Sequence, residues 1–98
     1  MLSGMPIDLK KVKPKDIDKQ ILRIGLIAEL DAINLYEQLS AMTTDPVLKA
    51  VLAEVAEDEK EHVGAFQYLL LQRDKEQAEE LEEGKEEVLE ILGKKKKK

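Results

Sequence analysis

The chain contains no cysteine or tryptophan, a single histidine and only three aromatic residues among its 98. Without cysteine there can be no disulfide framework, no thiolate metal site and no cysteine nucleophile. No apolar run approaches the roughly 20 residues that span a bilayer, and the N-terminus lacks the apolar core of a signal peptide. The net charge of −5 argues against a nucleic-acid-binding surface. We therefore expect a cytoplasmic protein that binds neither membrane nor nucleic acid.

The composition favours one small helical domain. Hydrophobic residues make up 43% of the chain and charged residues 38%, with few glycines and prolines. Residues 1–14 contain Gly4, Pro6 and Pro14 and are expected to be a flexible lead-in. Residues 15–92 form the expected helical domain, and residues 93–98 form a lysine-rich tail or linker.

The apolar periodicity predicts an all-α fold with helices over residues 15–42, 46–73 and 75–92. Asp45 can cap the second helix, and Pro46 suits its first position. The short connection predicts that the first two helices form an antiparallel hairpin. The third helix is weaker, and Gly84 is expected to bend or split it.

Two apolar seams are interrupted by residues that bind metals. In the second helix a seam at spacings of three and four contains Glu59 and His62, and the first helix has Glu29 in a similar seam. Glu29 lies 15 residues before Thr44 and Glu59 lies 15 after it, so the hairpin places them at the same height. Carboxylate and imidazole together suit divalent iron or manganese.

Glu29, Glu59 and His62 make up half of the ligand set of a di-iron site. A di-iron four-helix bundle uses one Glu from each of two helices and a Glu-x-x-His from each of the other two. The chain has one helix of each kind, so the simplest completion is a two-fold dimer. The predicted architecture is thus a two-helix hairpin plus a short C-terminal helix, dimerising into a four-helix bundle.

Other interpretations stay open at this point. Glu59-x-x-His62 alone is close to chance in a chain so rich in acids, and Glu29 could instead pair with a lysine. The polar residues could form a buried network that fixes register in a helical assembly or adaptor module without redox activity. A carboxylate-bridged enzyme acting on an organic substrate is a third possibility. Tyr36 could serve only in packing, and Asp31 could lie on a metal access path or simply on the surface.

Three segments resemble the encapsulated ferritins, the short ferritin-like cargo proteins of encapsulin nanocompartments. They are residues 29–38 (ELDAINLYEQ), 44–46 (TDP) and 58–62 (DEKEH). The resemblance implies that Glu29, Glu59 and His62 bind a di-iron (Fe) centre, with Tyr36 beside it. It implies ferroxidase activity, in which Fe(II) is oxidised to Fe(III) by dioxygen.

The same resemblance implies partners and location. Dimers would form the site, five dimers would form an open decameric ring, and iron would pass to the encapsulin shell protein that encloses the ring. Ala28 and Leu35 stand where relatives carry an acid and a tryptophan, which puts the metal access site in doubt although Asp31 is kept. The chain ends in lysines, whereas free-standing relatives end in a cargo peptide, so it could be free cargo or a domain fused to the shell protein.

Overall fold

The computed structural model describes Gly4 and residues 8–94 and consists of three α-helices. They are α1 (Ile17–Met42), α2 (Pro46–Arg73) and α3 (Lys75–Ile91). Short 3-10 segments at Leu9–Lys11 and Pro14–Asp16 precede α1. The fold class and the hairpin are therefore confirmed, and each predicted helix boundary lies within two residues of the observed one.

The corner between α1 and α2 is closed by local hydrogen bonds. Asp45 Oδ1 accepts from the backbone N–H groups of Val47 and Leu48 at 2.9 and 3.1 Å. These two donors have no partner within the helix, so the carboxylate satisfies them, while Pro46 needs none. The predicted cap is confirmed, and only three residues lie between the end of α1 and the start of α2.

The core of the single chain lies on the facing sides of α1 and α2. Its most buried apolar residues are Leu22, Ile33, Ala56 and Leu70. By contrast, Leu48 and Leu69, the first and last residues of the predicted α2 seam, are 48% and 40% exposed. The ends of this seam are therefore open in the single chain, and the most buried residues of α2 lie on a neighbouring stripe.

The third helix leaves the hairpin as an arm. The radius of gyration is 17.4 Å, whereas a compact chain of this length has about 13 Å. No residue of α3 is fully buried. The helix continues through Gly84, so the expected split there is wrong. It ends at Ile91, and Gly93 two residues later has a φ of 70°, which suits a residue without a side chain.

The expected lead-in and tail lie partly outside the described residues. Positions 1–3, 5–7 and 95–98 are the residues that the structure does not describe, and the last of these ranges includes most of the lysine run. Within residues 8–94, no helix combines the length and apolar character needed to cross a membrane.

Candidate metal centre

The midpoint of the hairpin brings together the three residues on which the sequence analysis centred. Glu29 lies in the middle of α1, and Glu59 and His62 lie one turn apart in the middle of α2. One possible ligand atom from each residue lies within 4.8 Å of the other two. The antiparallel hairpin produces this meeting because residues equally distant from the corner lie at the same height.

The distances suit a shared cation better than direct bonds. His62 Nδ1 lies 3.5 Å from Glu29 Oε2 and 3.5 Å from Glu59 Oε2. Hydrogen bonds between nitrogen and oxygen are usually about 2.7–3.2 Å long. Two ligand atoms at about 2.1 Å from one ion are about 3.0–3.4 Å apart at octahedral or tetrahedral angles. The observed separations are close to those of ligands around a metal.

The carboxylates are largely withdrawn from water without a cationic partner. The side chains of Glu29 and Glu59 are 18% and 20% exposed, while that of His62 is 53% exposed. Glu29 Oε2 is buried and accepts no hydrogen bond within the described part of the chain. A buried carboxylate is costly unless a cation or donors compensate it.

A lysine does not fill this role among the described residues. Lys60 follows Glu59 in sequence, but its Nζ lies 3.2 Å from Glu37 on α1. The ion pairs found for Glu29 and Glu59 within residues 8–94 involve His62 alone. The lysine alternative is therefore not supported by the structure.

An apolar surface closes one side of the cluster. Phe66 lies one turn after His62, and Gly25 lies one turn before Glu29. A side chain added at Gly25 would meet the Phe66 ring at 3.5 Å, so the ring packs directly against this part of α1. Such surroundings lower the local dielectric and strengthen the attraction between the carboxylates and a cation.

The remaining predicted site residues lie outside the three-residue cluster. Tyr36 is half-buried on α1, two turns beyond Glu29, and Asp31 is also half-buried. Neither belongs to the group of potential metal ligands found among the described residues. Four other acids of α2 are exposed: Glu54, Glu57, Asp58 and Glu61.

Sequence reasoning missed two kinds of residue around the site. Ala56, Val63 and Leu70 recur at intervals of seven, and this stripe, with Ala56 and Leu70 buried, could have been recognised as the intrachain side of α2. The ion pair between Glu37 and Lys60 could not have been recognised, because the sequence does not show which charged residues of two helices lie opposite each other.

The helical fold and the cluster of two carboxylates and a histidine together define a protein of the ferritin-like class. The EncFtn-like family model matches residues 6–89. The chain belongs to the EncFtn-like family.

Similar proteins agree with this assignment. The chain is 48% identical over 95 residues to a ferritin-like–encapsulin shell fusion protein of Pyrococcus furiosus, and 40% identical over 65 residues to the encapsulin cargo protein EncC of Myxococcus xanthus. A crystal structure of the encapsulated ferritin domain from Pyrococcus furiosus matches with a TM-score of 0.81 at 47% identity, covering 95% of this chain and 97% of that one.

The matched part of the full-length relatives is limited. The chain spans 28% of the Pyrococcus fusion protein and 50% of the Myxococcus protein. An encapsulated ferritin-like protein of Rhodospirillum rubrum is 32% identical over 73 residues, which are 52% of its length. The similarity thus covers only part of each of these longer proteins.

Proposed function

We propose that the protein is a ferroxidase that oxidises Fe(II) to Fe(III) with dioxygen at a di-iron site shared by two copies of the chain. The observation that carries the proposal is the cluster itself. Glu29, Glu59 and His62 place one ligand atom each within 4.8 Å of one another, and two of the three are half-buried acids. Carboxylate and imidazole ligands with open positions suit redox-active iron.

The charge distribution around the cluster favours a cation. Residues 24–72 contain nine acidic and two basic residues. Both basic side chains are engaged, Lys49 with the Ser40 carbonyl oxygen and Lys60 with Glu37. A surface of one charge sign raises the local concentration of ions of the opposite sign. Fe(II) would therefore reach the cluster from an acidic surface.

The face around the cluster supports a second copy as the missing half. Three apolar residues share the His62 face of α2, and α1 exposes two more, between two and three turns from Glu29. All are between 36% and 52% exposed in the single chain: Leu48, Val51, Leu69, Ile21 and Leu39. Exposed apolar surface of this kind often marks an interface. A two-fold dimer would cover this surface and bring two half-sites together.

Each residue has a distinct role in the proposed site. Glu59, Glu29 and His62 of both copies would together hold the two irons, with Glu59 as the ligand common to both half-sites. Bound Fe(II) would supply the electrons that reduce dioxygen. The four carboxylates of two copies balance the charge of two Fe(II) ions, so the pair of copies binds iron without leaving uncompensated buried charge. Tyr36 would lie beside the ligands, and Asp31 would belong to the access path.

The relatives suggest where this reaction takes place. Their printed names describe cargo of encapsulin compartments and a fusion to the encapsulin shell. We propose that the chain acts inside an encapsulin nanocompartment in the cytoplasm, as a homodecameric ring that passes iron to the shell protein for storage. The lysine-rich C-terminus is compatible with free cargo and with a linker to a shell domain.

Iron oxidation by substituted proteins tests the proposal. Protein loaded anaerobically with Fe(II) is exposed to air, and Fe(III) formation is followed by absorbance. Glu59→Gln removes a ligand charge at nearly constant shape, and His62→Ala removes the imidazole. We expect each variant to lose rapid oxidation.

Glu61→Gln is the matched control, because Glu61 lies between the two ligands on the same helix but is exposed. It should oxidise iron at the unsubstituted rate. Rapid oxidation by both ligand variants would contradict the proposal and would favour a helical assembly module with a buried polar network.

A further inference from the structure

We propose that Arg23 and Asp74 form a corner clamp that sets the direction in which α3 leaves the hairpin. The two residues lie 51 positions apart in sequence, yet Arg23 Nη2 donates to Asp74 Oδ2 at 2.7 Å. The contact joins the first part of α1 to the point where α3 begins. It is independent of the proposed iron chemistry.

Asp74 is the single residue between α2 and α3. The last residue of α2 is Arg73 and the first residue of α3 is Lys75. The angle between the helices therefore depends mainly on the backbone torsions of Asp74, which has φ −137° and ψ 85°. A one-residue connection has only one pair of backbone torsions. A contact that fixes the conformation of Asp74 therefore fixes the direction of the helix that follows.

The carboxylate of Asp74 contacts both the hairpin and α3. Oδ1 accepts the backbone N–H of Gln77 in the first turn of α3 at 3.0 Å, and Oδ2 accepts the guanidinium of Arg23 on α1. The side chain is 10% exposed, compared with 43% for that of Arg23. Because one rigid carboxylate makes both bonds, rotation of α3 about the corner would stretch one of them.

Packing alone holds α3 weakly. An open groove of about 350 Å³ lies between the hairpin and the start of α3, lined in part by Leu71, Gln77 and Leu81. Farther along the arm, Val88 and Ile91 are 54% and 80% exposed. With so little buried apolar surface to resist rotation, the polar contact at the corner becomes the main restraint.

The angle matters because the arm is long. Seventeen residues span about 25 Å, so a rotation of about 10° moves the far end by about 4 Å. That end carries Val88 and Ile91, so the clamp decides where an exposed apolar surface is presented. Arg23 and Asp74 are thus positioning residues for the outer part of the protein.

Distance measurements between spin labels test the clamp. The chain has no cysteine, so cysteines can be introduced at the exposed positions Asn34 on α1 and Lys85 on α3 without background labelling. Labelled chain is diluted into excess unlabelled chain, so that pulsed dipolar spectra report distances within one chain. We expect a single narrow distribution for the otherwise unsubstituted protein.

Two substitutions separate the clamp from the helix cap. Asp74→Asn keeps a residue that caps helices well but removes the charge, and Arg23→Gln removes the guanidinium. Both should broaden the distribution or shift it by about 4 Å or more, the scale set by a 10° rotation of the arm. Arg23→Lys restores a cation and should recover much of the narrow distribution.

Lys75→Ala is the matched control, since its ion pair with Glu79 is 4.0 Å long and both side chains are more than half exposed. It should leave the distances unchanged. Circular dichroism at 222 nm checks that every variant keeps its helices. Unchanged distances in Asp74→Asn and Arg23→Gln would overturn the proposal. A broader distance distribution in Asp74→Ala but not in Asp74→Asn or Arg23→Gln would also overturn it, because the helix cap alone would then fix the direction of α3.

Discussion

The two corners of the chain both start a helix with an aspartate cap, but they are held in different ways. Asp45 accepts two backbone N–H groups of the helix that it caps, and the hairpin beyond it is fastened by a buried apolar core. Asp74 accepts one such group and a guanidinium from a distant helix, and the arm beyond it has no fully buried residue. The first corner can form locally, whereas the second needs α1 in place.

This contrast matches the tasks of the two regions. The hairpin must hold Glu29 at a fixed height relative to Glu59 and His62, and a core on either side of that height does so. In the proposed clamp, one directional ion pair would set the direction in which the arm presents its exposed apolar residues. Four substitutions or titrations can break or sharpen the comparison.

The largest expected effect is on the hairpin core. Leu70→Ala, at a side chain only 4% exposed, should lower the free energy of unfolding by about 2–5 kcal/mol, because a buried cavity is left behind. Ile91→Ala in the arm, 80% exposed, should change it by less than about 0.5 kcal/mol. Urea denaturation at equal chain concentration measures both. Equal losses would show that the arm is also held by a core.

A smaller effect is expected at the first corner. Asp45→Ala should lower the free energy of unfolding by about 1 kcal/mol, since two backbone donors lose their acceptor. Asp45→Asn should cost only a few tenths of that, because asparagine caps equally well. The same denaturation experiment compares them. If the asparagine variant were as unstable as the alanine variant, the charge of Asp45 would also be required, as proposed for Asp74.

Acid should loosen the second corner. The Gln77 backbone N–H, then the nearby Arg23 and Lys19, hold the pKa of Asp74 below its ordinary value of 3.8, against the opposing effect of burial. The ionised clamp is therefore complete above that value and is lost as the pH falls through the lower folded-state pKa. The spin-label distance should then approach that of Asp74→Asn, whose own distance should not respond to the Asp74 titration. A distance that stays constant at every pH where the helices persist would contradict the clamp.

The smallest effect should come from the exposed ion pair beside the site. Lys60 and Glu37 are 59% and 52% exposed, so Lys60→Ala should cost at most about 1 kcal/mol. The difference should shrink further at 1 M salt, where such pairs are screened. Denaturation at low and high salt measures it. A larger, salt-independent loss would mean that this pair, like the clamp, positions a helix.

Most of the fold could be predicted from the sequence because its signals are local. The Asp45-Pro46 cap and the apolar periodicity gave helix bounds within two residues of those observed, and equal spacing about Thr44 predicted the meeting of Glu29 with Glu59. What could not be predicted depends on the direction in which helices face one another. The contact between Arg23 and Asp74 is of this kind, because periodicity shows which face is apolar but not which charges meet across a corner.

The number of chains in the iron-bound species tests the shared half-site most directly. Native mass spectrometry of protein titrated anaerobically with Fe(II) would count metals and chains in one species. Two ions for every two chains are expected, with Glu59→Gln dimers retaining fewer. Iron bound one ion per chain to monomers, or equally well by the Glu59→Gln variant, would contradict the account.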